Sequence, residues 1–319
     1  MKKLASVLLA LCLVFGTCAF AAAEDTVYNV AILQFVQHEA LDAATQGFKD
    51  VLSEKLGDKV KFAYDLNASG DIGNCSTEAT TIVSDPSVNL IMGNATPALQ
   101  ACFNATADIP VLGTSITHYG SALELEMNED GSTGKNVSGT SDLAPLDGQA
   151  AMIKELFPDA KTVGLLYCSS EANSVFQITE ISKYLEELGF EIRRFAFNDS
   201  NELPAVVQAA TECNVIYIPT DNTAAANTEA IANVVLPAGV PVVTGEEGIC
   251  KGCGVATLTI SYYDLGVRTG EMAYDILVNG ADVSAMPVAY APQFTRKYNA
   301  ANAAELGVTI PEGYEAIAE

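Results

Sequence analysis

The chain has 319 residues, with 40 acidic side chains against 16 Lys and Arg and a net charge of −24. Phosphate contacts need Lys and Arg, so this balance excludes DNA, RNA and anionic membrane surfaces as partners. The length is enough for two domains of ordinary size, each with its own core.

Residues 1–23 read as a secretory signal peptide. Lys2 and Lys3 supply the charged start, Leu4 to Phe15 the apolar stretch, and Ala21-Ala22-Ala23 the small-residue cleavage site. That apolar stretch is too short to span a bilayer, and no other run reaches membrane length. A lipid anchor at Cys18 would need small residues before it, and Phe15-Gly16-Thr17 is a poor match.

Beyond the leader, apolar runs alternate with segments of helical period. A strand is expected over 27–35. A helix over 41–57 follows, with Leu41, Ala44, Phe48, Val51, Leu52 and Leu56 on one face. Strand 59–66, helix 74–84, strand 89–93, helix 96–105 and strand 109–116 continue the pattern, and 136–142 closes a first sheet. The pattern then restarts with helix 145–156, strand 161–168, helix 173–188, strand 190–197, helix 203–212, strand 214–219, helix 223–236 and strand 241–245. The fold class is α/β, with parallel sheets covered by helices on both faces. The segments 89–115 and 214–246 resemble each other, each an Asn-led strand, a polar turn, an Ala-rich helix and a strand opened by Pro-Val, as a duplicated unit would produce.

Cys250 and Cys253 form the one close cysteine pair. A zinc site would lack its second half, since His38 and His118 are far away in sequence. A redox motif would precede a helix, whereas 254–260 reads as a strand. The pair is expected to be a loop disulfide or two inert thiols. Helix 262–280, two short strands within 288–299 and a last helix at 300–307 complete the chain.

Ligands in open parallel sheets sit beyond the carboxyl ends of the strands. Seven strand ends here carry short polar side chains. Gln34, Phe35, Asn94, Thr96, Thr114, Asp142, Glu171, Asn173, Asp221, Asn222 and Glu246 are the candidate binding residues. Each polar one alone could be an ordinary helix cap; together they describe a polar cleft. It is rich in carboxylates and has no Arg, so it suits a guest with an ammonium group. The guest's own carboxylate could rest at the helix start after Asn94-Ala95-Thr96. A zwitterionic amino acid is the simplest such guest. Phe35, Tyr119, Tyr167, Phe176, Tyr262 and Tyr263 could line an apolar side. Asp221 is expected to hold the cationic group. No metal cluster or cofactor motif is present, and no nucleophile elbow supports a hydrolase built on Glu246 and Glu247.

The segments "ILQFVQHEALDAATQGF", "ATPALQA", "VSGTSD", "YCSSEANS", "YIPTDNT" and "YYDLGVRTGEMA" resemble bacterial ABC-importer substrate-binding proteins of the type I periplasmic-binding fold. The branch they resemble includes binders of tryptophan and other aromatic amino acids. The likeness runs over about 27–311. It implies two doubly wound lobes joined by three crossovers and closing on a ligand at a hinge. Lobe 1 would be 24–142 plus 259–285, and lobe 2 would be 143–258 plus 286–319. Gln34, Thr96, Asp142, Asn173 and Asp221 would face the cleft. The implied protein is a monomeric, non-enzymatic receptor, secreted across a bacterial inner membrane to the periplasm or cell surface. Its partners would be a small amino acid-like ligand and an ABC permease with its ATPase subunit. A sensory protein of the same fold is the alternative. The stretch "TGEEGICKGCG" departs from the branch, where an Asp- or Ser-rich turn is expected.

Overall fold

The computed structural model describes residues 26–318; the segment expected to be a signal peptide, 1–23, with Cys18, lies outside them. In chain order the elements begin β1 (Tyr28–Gln34), α1 (Glu39–Leu56), β2 (Val60–Asn67), α2 (Ile72–Val83), β3 (Val88–Asn94), α3 (Thr96–Ala105) and β4 (Val111–Ile116). A short α4 (Tyr119–Leu123) precedes β5 (Val137–Ser141). Then follow α5 (Leu146–Leu156), β6 (Thr162–Cys168), α6 (Ala172–Glu187), β7 (Glu191–Phe197), α7 (Leu203–Ala210), β8 (Val215–Ile218), α8 (Asn222–Ala225) and α9 (Thr228–Ala238). The chain closes with β9 (Val242–Thr244), α10 (Glu247–Cys253), β10 (Ala256–Thr259), α11 (Tyr262–Asn279), β11 (Ala289–Tyr290), β12 (Thr295–Tyr298), α12 (Ala300–Glu305) and β13 (Glu315–Ala316).

Two sheets result. The first has the order β11-β5-β4-β3-β1-β2 and every pair in it is parallel. The second has the order β13-β12-β10-β9-β8-β6-β7, with only β10 and β12 antiparallel. Strand side chains alternate between faces, and the cores divide accordingly. Val30, Ile32, Leu90 and Met92 pack towards α1 and α11, with Phe48, Leu52 and Met272. Ala31, Leu33 and Ile91 pack the other way, with Ala79, Ile82, Leu99 and Cys102 of α2 and α3. In the second sheet Leu165 and Tyr217 meet α5 and α6, while Leu166, Ile216 and Ile218 meet α7, α9 and α10.

α1 and α11 approach closely because glycines stand at their crossing. A Cβ on Gly266 would run into the Ala44 carbonyl, and one on Gly47 into the Tyr263 carbonyl. The chain passes between the sheets after β5, after β10 and after β11.

Several expectations need correction. The third crossing comes later than residue 285: Ala289 and Tyr290 pair with Thr140 and Ser141, and Val288 is buried in the first core. The segment 286–290 therefore stays with the first sheet, because its backbone completes the open edge of β5. The helix expected over 223–236 is two helices, α8 and α9, broken at Asn227, whose Nδ2 donates to the Thr223 carbonyl at 2.8 Å. Of the two outcomes expected for Cys250 and Cys253, the structure shows the free thiols, both buried; what it corrects is their place, on α10 rather than in a loop. Gly248 and Gly252 disfavour a helix there; the Glu246 cap supplies what the local propensity lacks.

Candidate functional site

The carboxyl ends of both sets of strands face each other across a narrow cavity. His38, Leu41, Ser115, Thr117, Asp142 and Tyr262 line it from the first lobe and its crossovers. Asn173, Thr220, Asp221, Asn222, Ala225 and Glu246 line it from the second. Its volume is only ≈ 10 Å³, about the room of one water, so the lobes are shut on each other. Direct contacts hold them. His38 Nε2 meets Asn222 Oδ1 at 3.2 Å. Thr117 Oγ1 accepts from Gln177 Nε2 at 3.1 Å and lies 3.4 Å from Thr220 Oγ1. On another part of the rim the His118 and Phe176 rings stack, with centroids 4.6 Å apart and planes within 6°.

Two backbone irregularities shape the first lobe's side. Ala95, just before α3, has φ 75°, and Ser115, inside β4, has φ 57°. Such non-glycine residues carry roughly 1–3 kcal/mol of strain and concentrate at binding sites. Ser115 falls where the β4–β5 register shifts, between Gly113 and Ile116. Its hydroxyl has no hydrogen-bond partner, and neither has that of Thr96, the first residue of α3. The Oδ1 atoms of Asn94 and Asn173 are likewise buried and unpartnered.

The four buried carboxylates differ in what already occupies them. Glu171 accepts from the backbone N–H groups of Asn222 and Thr223 and from the side chains of Asn222, Thr223 and Asn173. It staples the loop after β6 to the loop after β8. Asp221 caps α8 through Ala224 N at 2.8 Å and accepts from Cys168 N at 2.6 Å. Burial, and then the Glu171 charge, push its pKa above the usual carboxylate range. Glu246 caps α10 through Gly248 N at 2.6 Å and through Ile249 N; burial raises it to about 7 against those two donors. Asp142 is different. Its donors are two hydroxyls, Tyr262 at 3.0 Å and Thr117 at 3.2 Å. Burial raises it to about 6, only partly opposed by those hydroxyls. No Lys or Arg lines the cavity.

Of the residues chosen from sequence, the cavity brings together Asp142, Asn173, Asp221, Asn222 and Glu246. The others lie behind its wall. Gln34 is spent within its own lobe, donating to Val36 O and Asp42 and accepting from Thr45. Asn94 donates to Leu41 O and Thr45, Thr114 pairs with Thr140, and Phe35 packs in the first core. Gln177 is a further cleft residue, bonded to Thr117 and Thr220 and outside the candidates read from sequence. It lies one helical turn beyond Asn173 on α6, and that i, i+4 spacing was the available signal.

The family described as ABC transporter substrate binding protein matches residues 29–319. A tyrosine-binding protein of Clostridioides difficile (strain R20291) is 33% identical over 264 residues, covering 82% of this chain and 75% of that one. An ABC domain from Streptococcus pneumoniae, solved in complex with L-Trp, is 34% identical with a TM-score of 0.86, covering 92% of this chain and 100% of its own. A ligand-free, open substrate-binding protein with adhesive properties from Clostridium difficile is 33% identical, covers 91% and 99%, and scores 0.69. At nearly equal identity, the chain superposes better on the Trp complex than on the open protein.

Proposed function

Because this chain belongs to the ABC transporter substrate-binding protein family, we propose that it is an extracytoplasmic receptor that binds a free aromatic amino acid between its lobes and delivers it to a membrane permease. The observation that carries the ligand class is Asp142. A buried carboxylate with only hydroxyl donors and no cation in its cavity is costly to charge, and an ammonium group relieves that cost. We assign the ligand's α-ammonium to Asp142 rather than Asp221, whose two oxygens already take backbone N–H groups. The ligand's carboxylate then lies at the unpartnered Ser115 hydroxyl, beside the start of α3, where the helix dipole favours an anion. Its side chain runs along Leu41, His38 and Ala225 towards Glu246. The Trp and Tyr named for two relatives support a ring there. The family is one of substrate-binding proteins, and this reading gives the chain no catalytic step.

Calorimetry of the mature protein against the twenty amino acids tests the proposal. Tight binding of Trp or Tyr is expected. Binding of a sugar or an inorganic anion, with no response to any amino acid, would overturn it.

A further inference from the structure

Glu246 stands where three cavities meet. It lines the cavity between the lobes, a groove of ≈ 270 Å³ beside Tyr262, Tyr263 and Lys297, and a groove of ≈ 240 Å³ beside Gln37, Ala225 and Thr228. Among the residues lining these three, it alone is common to all of them. Glu246 shares the cavity between the lobes with Asp142, Leu41 and Ala225, so a ligand held at Asp142 fills a space that this carboxylate also lines. Glu246 is 2% exposed. Among the described residues its hydrogen-bond donors are the Gly248 and Ile249 backbone N–H groups, one to each oxygen. A carboxylate has about four acceptor positions, so each oxygen retains one. The nearby cations are engaged elsewhere: Lys297 with Glu247 at 2.7 Å and Lys251 with Glu39 at 3.6 Å. The group is thus buried, acceptor-only when ionised, and incompletely bonded in the cavity that Asp142 also lines.

We infer that Glu246 is a specificity-determining residue that accepts a hydrogen bond from the ligand ring, so that the protein selects an aromatic amino acid carrying an N–H or O–H over one that carries none. This rests on the amino acid reading above and sharpens it to Trp and Tyr against Phe. A site built to bond a polar ring atom rejects the analogue lacking it, because the buried partner is left short of a donor. Full rejection of that kind reaches 10⁴–10⁵. The two backbone donors that Glu246 keeps reduce the effect here to about 10- to 100-fold.

The test is calorimetry on the mature protein at about pH 8, above the Glu246 pKa near 7. L-Trp, L-Tyr, L-Phe and 1-methyl-L-tryptophan are compared on the wild type and on Glu246→Gln. Phe and 1-methyl-Trp should bind at least about tenfold more weakly than the better of Trp and Tyr. In Glu246→Gln that gap should close to within about threefold, chiefly through loss of Trp and Tyr affinity. A smaller gap on the wild type overturns the inference, as does an undiminished gap in a folded Glu246→Gln protein. If the lost cap unfolds the variant, the wild-type Trp against 1-methyl-Trp comparison decides. Failure of every amino acid to bind would overturn the parent reading instead, and this one with it.

Discussion

Asp142 and Asp221 are both buried acids lining one cavity, yet they should respond oppositely to substitution. Asp142→Asn is expected to weaken binding by about thirty-fold to several thousand-fold, the penalty for losing one partner of a buried charge pair, while the ligand-free melting temperature holds or rises. Asp221→Ala should lower that melting temperature, since losing a cap costs about 1 kcal/mol, and keep affinity within about threefold. Paired calorimetry and thermal melts check both, and the reverse pattern would return the ammonium to Asp221. The pH dependence follows the same logic. Asp142 is raised from 3.8 to about 6, so the free folded protein holds this proton more tightly than the unfolded chain does. Its stabilisation is full below the unfolded value and is lost as pH rises through about 6. A bound ammonium reverses the balance by lowering that pKa. Affinity should therefore climb with pH through about 6, and Asp142→Asn should remove that component. A wild-type profile flat across this range would count against the assignment. From sequence Asp221 is the expected partner of the cation, because strand-end position does not reveal whether neighbouring N–H groups are already aimed at a carboxylate. That depends on the turn each one caps.

At the scale of elements, two close contacts predict large effects away from the ligand. Gly266→Ala should cost about 1–3 kcal/mol by overpacking α11 on α1, because the new Cβ meets backbone at Ala44. A denaturant titration would show a lower midpoint with little change in slope. Glu171→Gln replaces an acceptor of five hydrogen bonds with a group that accepts on one side only. It should destabilise by about 2–5 kcal/mol and loosen Asn222, which proteolysis of the β8–α8 loop would detect. Much at this scale was readable beforehand. The strand at 28–34 and the α1 face of Leu41, Ala44, Phe48 and Leu52 are periodic enough to declare themselves. Three features were not readable, each for a tertiary reason. α10 contains two glycines and depends on Glu246 for its start. The break at Asn227 rests on one side-chain bond to Thr223. β11 is two residues long and exists because β5 offers an edge.

For the molecule as a whole, the contacts across the cleft imply motion, since an amino acid cannot enter a cavity of ≈ 10 Å³. Hinge opening is the expected route. Small-angle scattering should give a smaller radius of gyration with saturating ligand than without, and equal radii would argue against a closure cycle. His118→Ala, which removes the rim stack with Phe176, should favour the open form and raise the dissociation rate several-fold while sparing Asp142. The pairing of α1 with α11 has a further consequence, for the order in which the protein is made. Phe48 and Leu52 bury themselves against Met272, more than two hundred residues later in the chain. The second sheet's central strands β6 to β10, by contrast, form one uninterrupted run. During synthesis the later-encoded lobe can assemble its centre while the earlier one still waits for its covering helix. Pulsed hydrogen exchange during refolding should therefore find β6 and β8 protected before α1. Until α11 arrives, the apolar face that α1 presents to it stays uncovered and open to capture by a chaperone.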